Sequence, residues 1–296
     1  MTAPSTPLPW FPAAEAPGGT TVPVRRPAAG ALDRLVLDPA AVSLAGPRGE
    51  DQDAGWAGPA LLVVADGVGG GSGGAQAARL AVDEVSRRAA AARETGADAA
   101  PDAGLAAAVA AADAAIRAAA AGDRALTGMA TTCTAAVLTR DGRVVVAHVG
   151  DSRAHLLRGG VLTRLTTDHT LVQALVASGE LTAEEAAVSP MRSVLLRALG
   201  GSADPGPADL LAVRAEPGDR LLVCSDGLSG VVPADTLQRV LTAERRPAAA
   251  AARLLLAALA AGTRDDVTAA VGDVIPAGWA STSAQVVVGS AAPPPG

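Results

Sequence analysis

An apolar run that ends in an acidic residue and a chain of glycines is the feature that most constrains this sequence. Residues 63–74 read VVADGVGGGSGG, so a segment typical of a buried strand stops at Asp66 and a glycine-rich bend. A carboxylate at a strand end, beside glycines that let backbone atoms approach a ligand, suits Mg²⁺ or Mn²⁺. An Asp-Gly pair after a strand is as often a simple turn, and this window alone leaves both interpretations open.

The combination of an apolar strand and an acidic residue occurs elsewhere in the chain. Residues 221–227 read LLVCSDG, and residues 265–269 read DDVTA, with the acid ahead of the strand. Four aspartates therefore stand at the edges of predicted strands: Asp66, Asp151, Asp226 and Asp265. Carboxylates gathered at neighbouring strand ends repel one another unless cations neutralise them, so the pattern predicts a site for divalent metal ions.

Composition predicts one ordered region between two tails. Residues 1–30 and 276–296 are rich in Pro, Ala and Gly without an apolar period, which predicts flexible tails. The segment 31–275 is long enough for one large domain or two small ones. Aromatic residues make up only 1% of the chain, so Ala, Val and Leu must fill its core.

Periodicity predicts an α+β fold. Apolar residues at helical spacing predict two helices, one with Ala78, Ala81, Val82 and Val85 inward and one with Leu105, Ala108, Val109, Ala112 and Ile116 inward. Strand-like segments joined by tight turns between residues 131 and 165 predict an antiparallel meander. Residues 168–200 are loosely helical, with a capping box of Thr182 and Glu185. Further strands are predicted at 35–44, 61–65, 210–214, 220–225 and 266–275, and helices at 235–241 and 248–261.

Charge and hydropathy argue against several classes of partner. The net charge is -6, and the chain has no long basic run with interleaved aromatics, so we expect no nucleic acid partner. The first twenty residues lack the features of a secretory signal, and the apolar helix at 248–261 is too short to span a bilayer, so we expect a cytoplasmic protein without a membrane partner. We interpret Cys133 and Cys224 as buried small hydrophobes.

The histidines do not favour zinc. His148, His155 and His169 show no zinc-ligand spacing. We interpret His148 and His155 as structural residues in hairpin strands and His169 as an organiser of its loop. Ser152, Ser225 and Thr132 are interpreted as hydrogen-bonding partners, since no histidine base is evidently placed to activate them.

Five motifs in order resemble those of the metal-dependent protein phosphatases, the PPM or type 2C family, and most closely its bacterial Ser/Thr branch. They are DGVGG at 66–70, GDSR at 150–153, LTTDHT at 165–170, CSDGL at 224–228 and DDVT at 265–268. Residues 48–53 and Thr131-Thr132 fall where the family has an Arg-x-x-Asn-Glu/Gln-Asp motif and a buried threonine strand. The resemblance runs from about Leu35 to Ile275.

The resemblance implies a four-layer α-β-β-α sandwich with two central antiparallel sheets, and a cleft that holds two Mn²⁺ or Mg²⁺ ions. It also assigns ligand roles by position. Asp66 would bridge the ions, the Gly67 carbonyl would bind one ion, Asp226 and Asp265 would bind the other, Asp151 would bind a weaker third ion, and Asp53 would act through metal-bound water.

The implied activity is hydrolysis of phosphoserine and phosphothreonine on proteins by a water that bridges the two ions. Arg48 would grip the phosphoryl oxygens, although its charged loop alone would be interpreted as a solvated surface. We expect a monomer that opposes a bacterial Ser/Thr kinase, with residues 168–200 as a mobile flap beside the cleft. An inactive relative that binds phosphoproteins or regulates a kinase is one alternative, and a glycosidase with paired carboxylates is another.

Several positions depart from the family pattern. Asp51 and Asp266 stand where Asn is usual, Gly71 where bacterial members often have His, and Ala75 where Glu is common. The extra carboxylate of Asp266 is expected to change local metal affinity or preference. Val68 stands where eukaryotic relatives have His, so the sequence offers no evident acid for the leaving alkoxide.

Overall fold

Strands and helices alternate in blocks along the chain. The structure, a computed structural model, describes residues 34–47, 49–68, 72–95, 100–201, 204–279 and 285–292. The strands in these ranges are β1 (Leu35–Leu44), β2 (Ala54–Gly58), β3 (Leu61–Ala65), β4 (Gly67–Val68), β5 (Ala130–Thr131), β6 (Cys133–Leu138), β7 (Arg143–Val149), β8 (Arg153–Arg158), β9 (Val161–Arg164), β10 (Leu199–Gly200), β11 (Asp209–Arg214), β12 (Arg220–Cys224), β13 (Val267–Pro276) and β14 (Val286–Gly289). The α-helices are α1 (Ser72–Thr95), α2 (Pro101–Gly122), α3 (Leu171–Ala177), α4 (Ala183–Val188), α5 (Asp226–Ser229), α6 (Ala234–Ala243) and α7 (Pro247–Ala260).

Two antiparallel sheets form the centre of the molecule. One has the strand order β1-β13-β12-β8-β9, and the other has the order β11-β7-β6-β3-β2-β14. Their facing sides share one apolar core, to which Leu62 and Val64 of β3 and Leu221 and Val223 of β12 contribute. A short sheet of β10-β5-β4 is separate from both. The predicted α+β sandwich with two central antiparallel sheets is confirmed.

Helices cover the outer face of each sheet. Helices α1 and α2 pack on the six-stranded sheet, and α5, α6 and α7 pack on the five-stranded sheet. Alternate residues of strand β3 face opposite sides of the sheet. Leu62 and Val64 face the other sheet, and Leu61, Val63 and Ala65 face α1 and α2, which explains why the strand is continuously apolar. Both sides of the strand are therefore buried.

The predicted inner faces of α1 and α2 are confirmed, since all nine apolar residues that were predicted to face inward are buried. By length and composition α2 is also apolar enough to cross a membrane. Its buried residues, however, belong to the core shared with α1 and the six-stranded sheet. This packing is typical of a helix that covers a protein core.

The predicted meander between residues 131 and 165 is wrong. Strands β6 and β7 form a hairpin in the six-stranded sheet, whereas β8 and β9 form a hairpin in the five-stranded sheet. The chain crosses the sandwich at residues 150–152, where Gly150 has a φ of 107°. The sequence pattern identified both hairpins, but local periodicity carries no information on which sheet each one joins. The strand β2 was not predicted.

Part of the predicted C-terminal tail belongs to the fold. Strand β14 pairs antiparallel with β2 and forms the edge of the six-stranded sheet. The next residue, Ser290, donates its N–H to the Asp53 carbonyl at 2.7 Å. The tail interpretation therefore fails for residues 286–290, whose short VVV run is surrounded by tail-like composition. The predicted N-terminal tail, residues 1–30, lies outside the described residues.

We expect Ser290→Ala to lower the free energy of unfolding by about 1 kcal/mol, the usual net contribution of one hydrogen bond. Its Oγ lies 2.9 Å from the Asp53 carbonyl oxygen and 3.1 Å from the Ala75 carbonyl oxygen, positioned to donate to either. Urea unfolding measures the change. Ser86→Ala on α1 is the control, and it should cost nothing because alanine favours a helix. An equal change in the free energy of unfolding in both variants would contradict a stabilising hydrogen bond from the Ser290 hydroxyl.

Candidate metal centre

An open cleft of about 170 Å³ gathers the predicted acidic residues. Asp66 directly follows β3, Asp226 begins α5 after β12, Asp265 precedes β13, and Asp151 lies between β7 and β8. The residues that line the cleft are Gln52, Asp66, Gly67, Val68, Asp151, Ser193, Leu195, Asp226 and Asp265. Acidic residues that are up to 199 positions apart in the sequence thus meet at the ends of strands from both sheets.

Asp66 and Asp226 are in direct contact. Their side chains lie close enough for a hydrogen bond to form when one of the two carboxyl groups is protonated. Burial raises the pKa of Asp66 well above its ordinary range, and repulsion from Asp53, Asp226 and Asp151 adds to this shift. The pKa of Asp226 is raised by burial and then by Asp265. Both carboxyls therefore hold a proton more tightly than a carboxyl in water does.

The donor set suits a hard divalent cation. Carboxylate and carbonyl oxygens are the ligands preferred by Mg²⁺ and Mn²⁺. Within the described residues, no three Asp, Glu, His or Cys side chains already stand in the geometry of a metal ligand set. A bound cation would neutralise the negative charges that repel one another in its absence.

Asp53 lies beneath the cleft and is only 1% exposed. Its side chain lies beside those of Ser225 and Thr268, and its Oδ2 has no hydrogen-bond partner among the described residues. Burial raises the pKa of this carboxyl well above its ordinary range. An unpartnered buried carboxylate oxygen is costly, and a cation-bound water in the cleft is the kind of partner that would satisfy it.

Asp151 stands at the border of the cleft. Burial raises its pKa from 3.8 to about 7, with further increases from Asp226 and Asp168 and an opposing effect of Arg153. The GDSR motif therefore combines an acidic residue that faces the cleft with a basic residue beside it. This carboxyl carries a proton for part of the neutral pH range when no cation is near.

Close backbone packing requires the glycines of both Asp-Gly pairs. A Cβ at Gly67 would overlap the Gly74 carbonyl group, and a Cβ at Gly227 would overlap the Asp266 carbonyl oxygen. Neither glycine has a positive φ. Gly67 lies in strand β4 rather than in a turn, and each of the two glycines lets two backbone segments touch directly beside an acidic residue.

Two threonines fix the backbone of Asp66. Its N–H donates to Thr132 Oγ1 at 2.9 Å, and its carbonyl accepts from Thr131 Oγ1 at 2.9 Å. The carbonyl also accepts from the Thr132 N–H at 2.9 Å. Thr132 Oγ1 lies 2.7 Å from Ser152 Oγ, next to Asp151. The interpretation of Thr132 and Ser152 as hydrogen-bonding partners is confirmed.

The two aspartates that replace Asn organise the loop before β2. The Asp266 carboxylate is 1% exposed and accepts from the backbone N–H groups of Gly46 at 2.7 Å and Gln52 at 2.9 Å. Asp51 accepts from Ser43 Oγ at 2.6 Å and from the Asp53 N–H at 3.1 Å. Both carboxylates therefore position Gln52 and Asp53, a role that sequence reasoning missed.

The histidines have structural roles. His148 Nδ1 lies 2.9 Å from Thr134 Oγ1 and its Nε2 lies 3.0 Å from the Thr167 carbonyl oxygen. His169 Nδ1 accepts from the Gly150 N–H at 3.0 Å, which ties its loop to the residue before Asp151. Burial lowers the pKa of His148 and of His155 to about 4, so both are neutral at pH 7.

Two predicted features fall outside the described residues. One is Arg48, and the other is the glycine segment 69–71, which includes Gly71. The proposed contact of Arg48 with phosphoryl oxygens therefore stays a prediction.

Comparison with known proteins gives the family. The profile of the protein phosphatase 2C family matches residues 49–274, about three quarters of the chain. The chain belongs to the protein phosphatase 2C family. Every residue that lines the acidic cleft lies within the matched range.

Named relatives of this phosphatase 2C chain come from bacteria. It is 41% identical over 228 residues to the serine/threonine protein phosphatase PstP of Mycobacterium tuberculosis, which covers 77% of this chain and 43% of the relative. The chain thus spans less than half the length of that relative. It is 35% identical over 213 residues to the serine/threonine phosphatase stp of Listeria monocytogenes, covering 70% of this chain and 82% of the relative.

The phosphatase 2C fold is also seen in solved structures. The crystal structure of Mycobacterium tuberculosis PstP aligns with a TM-score of 0.73 and 40% identity, covering 80% of this chain and 98% of that one. The PstP catalytic domain solved with two manganese ions aligns with a TM-score of 0.71 and 39% identity, covering 81% and 99%.

We expect the metal-free phosphatase 2C chain to lose stability as the pH rises. The folded-state pKa of Asp151 is raised from 3.8 to about 7, so the folded state binds this proton more tightly than the unfolded chain does. The free energy of unfolding should therefore fall between about pH 4 and pH 7 in EDTA, as measured by urea unfolding. Asp151→Asn should reduce the slope, and Mn²⁺ should suppress it; a metal-free stability that rises with pH over this window would contradict the model of crowded carboxyls.

Substitutions of the neighbouring residues Asp265 and Asp266 should affect different properties, metal binding in the first case and stability in the second. Asp265→Asn removes a negative charge that faces Asp66 and Asp226, so the metal-free protein should keep its stability while the stabilisation by Mn²⁺ falls. Asp266→Asn turns an amide donor toward a backbone N–H, so the metal-free protein should lose about 1 to 3 kcal/mol. Thermal unfolding with EDTA and with Mn²⁺ separates the two. If both variants lose only metal binding, the structural role assigned to Asp266 is wrong.

Proposed function

We propose that this chain is a metal-dependent phosphatase that hydrolyses phosphoserine and phosphothreonine on proteins. The observation that carries the proposal is the meeting of Asp66, Asp151, Asp226 and Asp265 in one open cleft. The relatives named serine/threonine phosphatases support the reaction, and the PstP domain with two manganese ions supports the metal.

The proposed ligands are those that the family resemblance implies, and all of them except Asp53 line the cleft. Asp66 and the Gly67 carbonyl would hold one ion, and Asp66, Asp226 and Asp265 the other, with Mn²⁺ or Mg²⁺ as the ions. Asp151 would hold a weaker third ion, and Asp53 would contribute through water. Two divalent ions, when bound, lower the pKa of water and stabilise charge that develops on phosphoryl oxygens.

The chain's own residues would hold this arrangement rigid. The backbone of Asp66 is held at both its N–H and its carbonyl by Thr131 and Thr132, so the central carboxylate has little freedom to move. Rigid placement matters because catalysis depends on holding reacting groups in position before the reaction begins. Arg48 would orient the phosphoryl group through its planar guanidinium.

The substrate and the cellular setting are part of the proposal. Phosphorylated serine and threonine side chains on proteins are made by a Ser/Thr kinase, so we expect the chain to act as a cytoplasmic monomer opposite such a bacterial kinase. Ser193 and Leu195, from the segment 168–200, line the cleft beside Asp226. Their position supports a role of this segment in substrate access.

We expect Asp226→Asn to lower Mn²⁺-dependent hydrolysis of p-nitrophenyl phosphate and of a phosphothreonine peptide by roughly a hundredfold or more. The reason is that even the outer partners of metal ligands are worth about 10- to 100-fold in activity or affinity. Steady-state kinetics with and without EDTA measure the loss. Asp235→Asn, on the exposed face of α6, is the matched control and should keep full activity.

The competing possibilities give different results in this experiment. A non-catalytic phosphoprotein-binding relative would show no turnover in the wild type, and a metal-independent hydrolase would keep its turnover in EDTA. Unchanged hydrolysis in Asp226→Asn would overturn the assignment of the cleft as the active site.

A further inference from the structure

A second cavity of about 310 Å³ adjoins the acidic cleft. The two share Asp151, Ser193 and Asp226 on their walls. One side of the second cavity is formed by apolar residues of α3 and α4, which are Val172, Val176, Ala183, Ala186 and Ala187. The other side carries arginines. A molecule bound in the cleft could therefore extend into this space.

The arginines of this cavity outnumber the acid that pairs with them. Arg153 binds the buried Asp168 through Nε at 3.1 Å and Nη2 at 2.7 Å, and its Nη1 donates to the Ser229 carbonyl at 3.0 Å. Arg164 Nη2 binds the same carboxylate. Two guanidinium groups thus share one negative charge, and all three nitrogens of Arg153 have partners.

Donors of the other two arginines are still available. Arg164 is about one third exposed, and among the described residues its one ion-pair partner is Asp168. Arg192 lines the same cavity and is exposed, and it makes no ion pair within the described part of the chain. These two side chains therefore present unpaired N–H donors beside the apolar wall of α3 and α4.

We propose that this cavity is a subsite for an acidic side chain of the substrate, a glutamate or aspartate close to the phosphorylated residue, with Arg192 and Arg164 as its partners. This inference rests on the proposed phosphatase function. A carboxylate matches the charge and the fork of the guanidinium groups, and the methylenes of its stem suit the apolar wall. The acidic cleft itself repels a carboxylate and favours cations, so an acidic side chain of the substrate would bind in the second cavity and not in the cleft.

The test uses phosphothreonine peptides in which one residue, one to three positions before or after the phosphothreonine, is glutamate, alanine or lysine. With the wild-type chain and Mn²⁺, we expect glutamate at one position to raise kcat/KM about tenfold over alanine, the ratio typical of one charge-assisted hydrogen bond. Arg192→Ala should lower this glutamate-over-alanine ratio of kcat/KM to a value between about 1 and about 3. Arg192→Glu should reverse it and favour lysine, which a purely structural role of Arg192 would not produce.

Arg239→Ala, on the exposed face of α6, is the control variant and should keep the wild-type preference. Hydrolysis of p-nitrophenyl phosphate by every variant reports on the acidic cleft independently of the peptide. A wild type that hydrolyses all peptides without a preference, or a preference unchanged in both Arg192 variants, would overturn the subsite. A wild type that hydrolyses neither the peptides nor p-nitrophenyl phosphate would overturn the proposed function, and the subsite with it.

Discussion

Repulsion between buried carboxylates is the constraint on which the rest of the structure depends. Asp66, Asp226 and Asp265 are carried by strand ends, so they cannot move apart without unpairing a strand or opening the core between the sheets. Burial makes each negative charge costly, and the neighbouring carboxylates add to that cost. The raised pKa values of Asp66 and Asp226 favour protonation, which relieves this repulsion, and a bound cation would relieve it more strongly.

The two sheets contribute different halves of the cleft, so its geometry depends on how they pack. Asp66 follows a strand of the six-stranded sheet, whereas Asp226 and Asp265 flank strands of the five-stranded sheet. Small contacts connect these halves. Ser43 Oγ lies 2.6 Å from Thr268 Oγ1 and donates to Asp51, which in turn accepts from the Asp53 N–H. A shift of one sheet against the other would break this chain of hydrogen bonds as well as separate the acids.

The sequence predicted elements better than the contacts between them. Residues 143–149 matched β7 to the residue, because a β-branched apolar run that follows a tight turn marks such a strand locally. The sheet to which each hairpin belongs depends on the whole sandwich, and the meander was wrong for that reason. The position of four aspartates at the edges of predicted strands identified the acids that line the cleft. It could not find the contact of Ser43 with Thr268, because these residues are 225 positions apart and meet only through the register of β1 and β13.

Under the two proposals, the wall between the cavities links metal binding to substrate choice. Asp151 and Asp226 line both the acidic cleft and the arginine cavity, so their negative charges act on ligands of either one. Without cations, the ionised fraction of these carboxylates offsets the charge of the arginines and repels an incoming glutamate. When cations neutralise them, the field in the second cavity is set by Arg153, Arg164 and Arg192 against Asp168 alone. The same two carboxylates would then make recognition of an acidic substrate depend on a loaded metal centre.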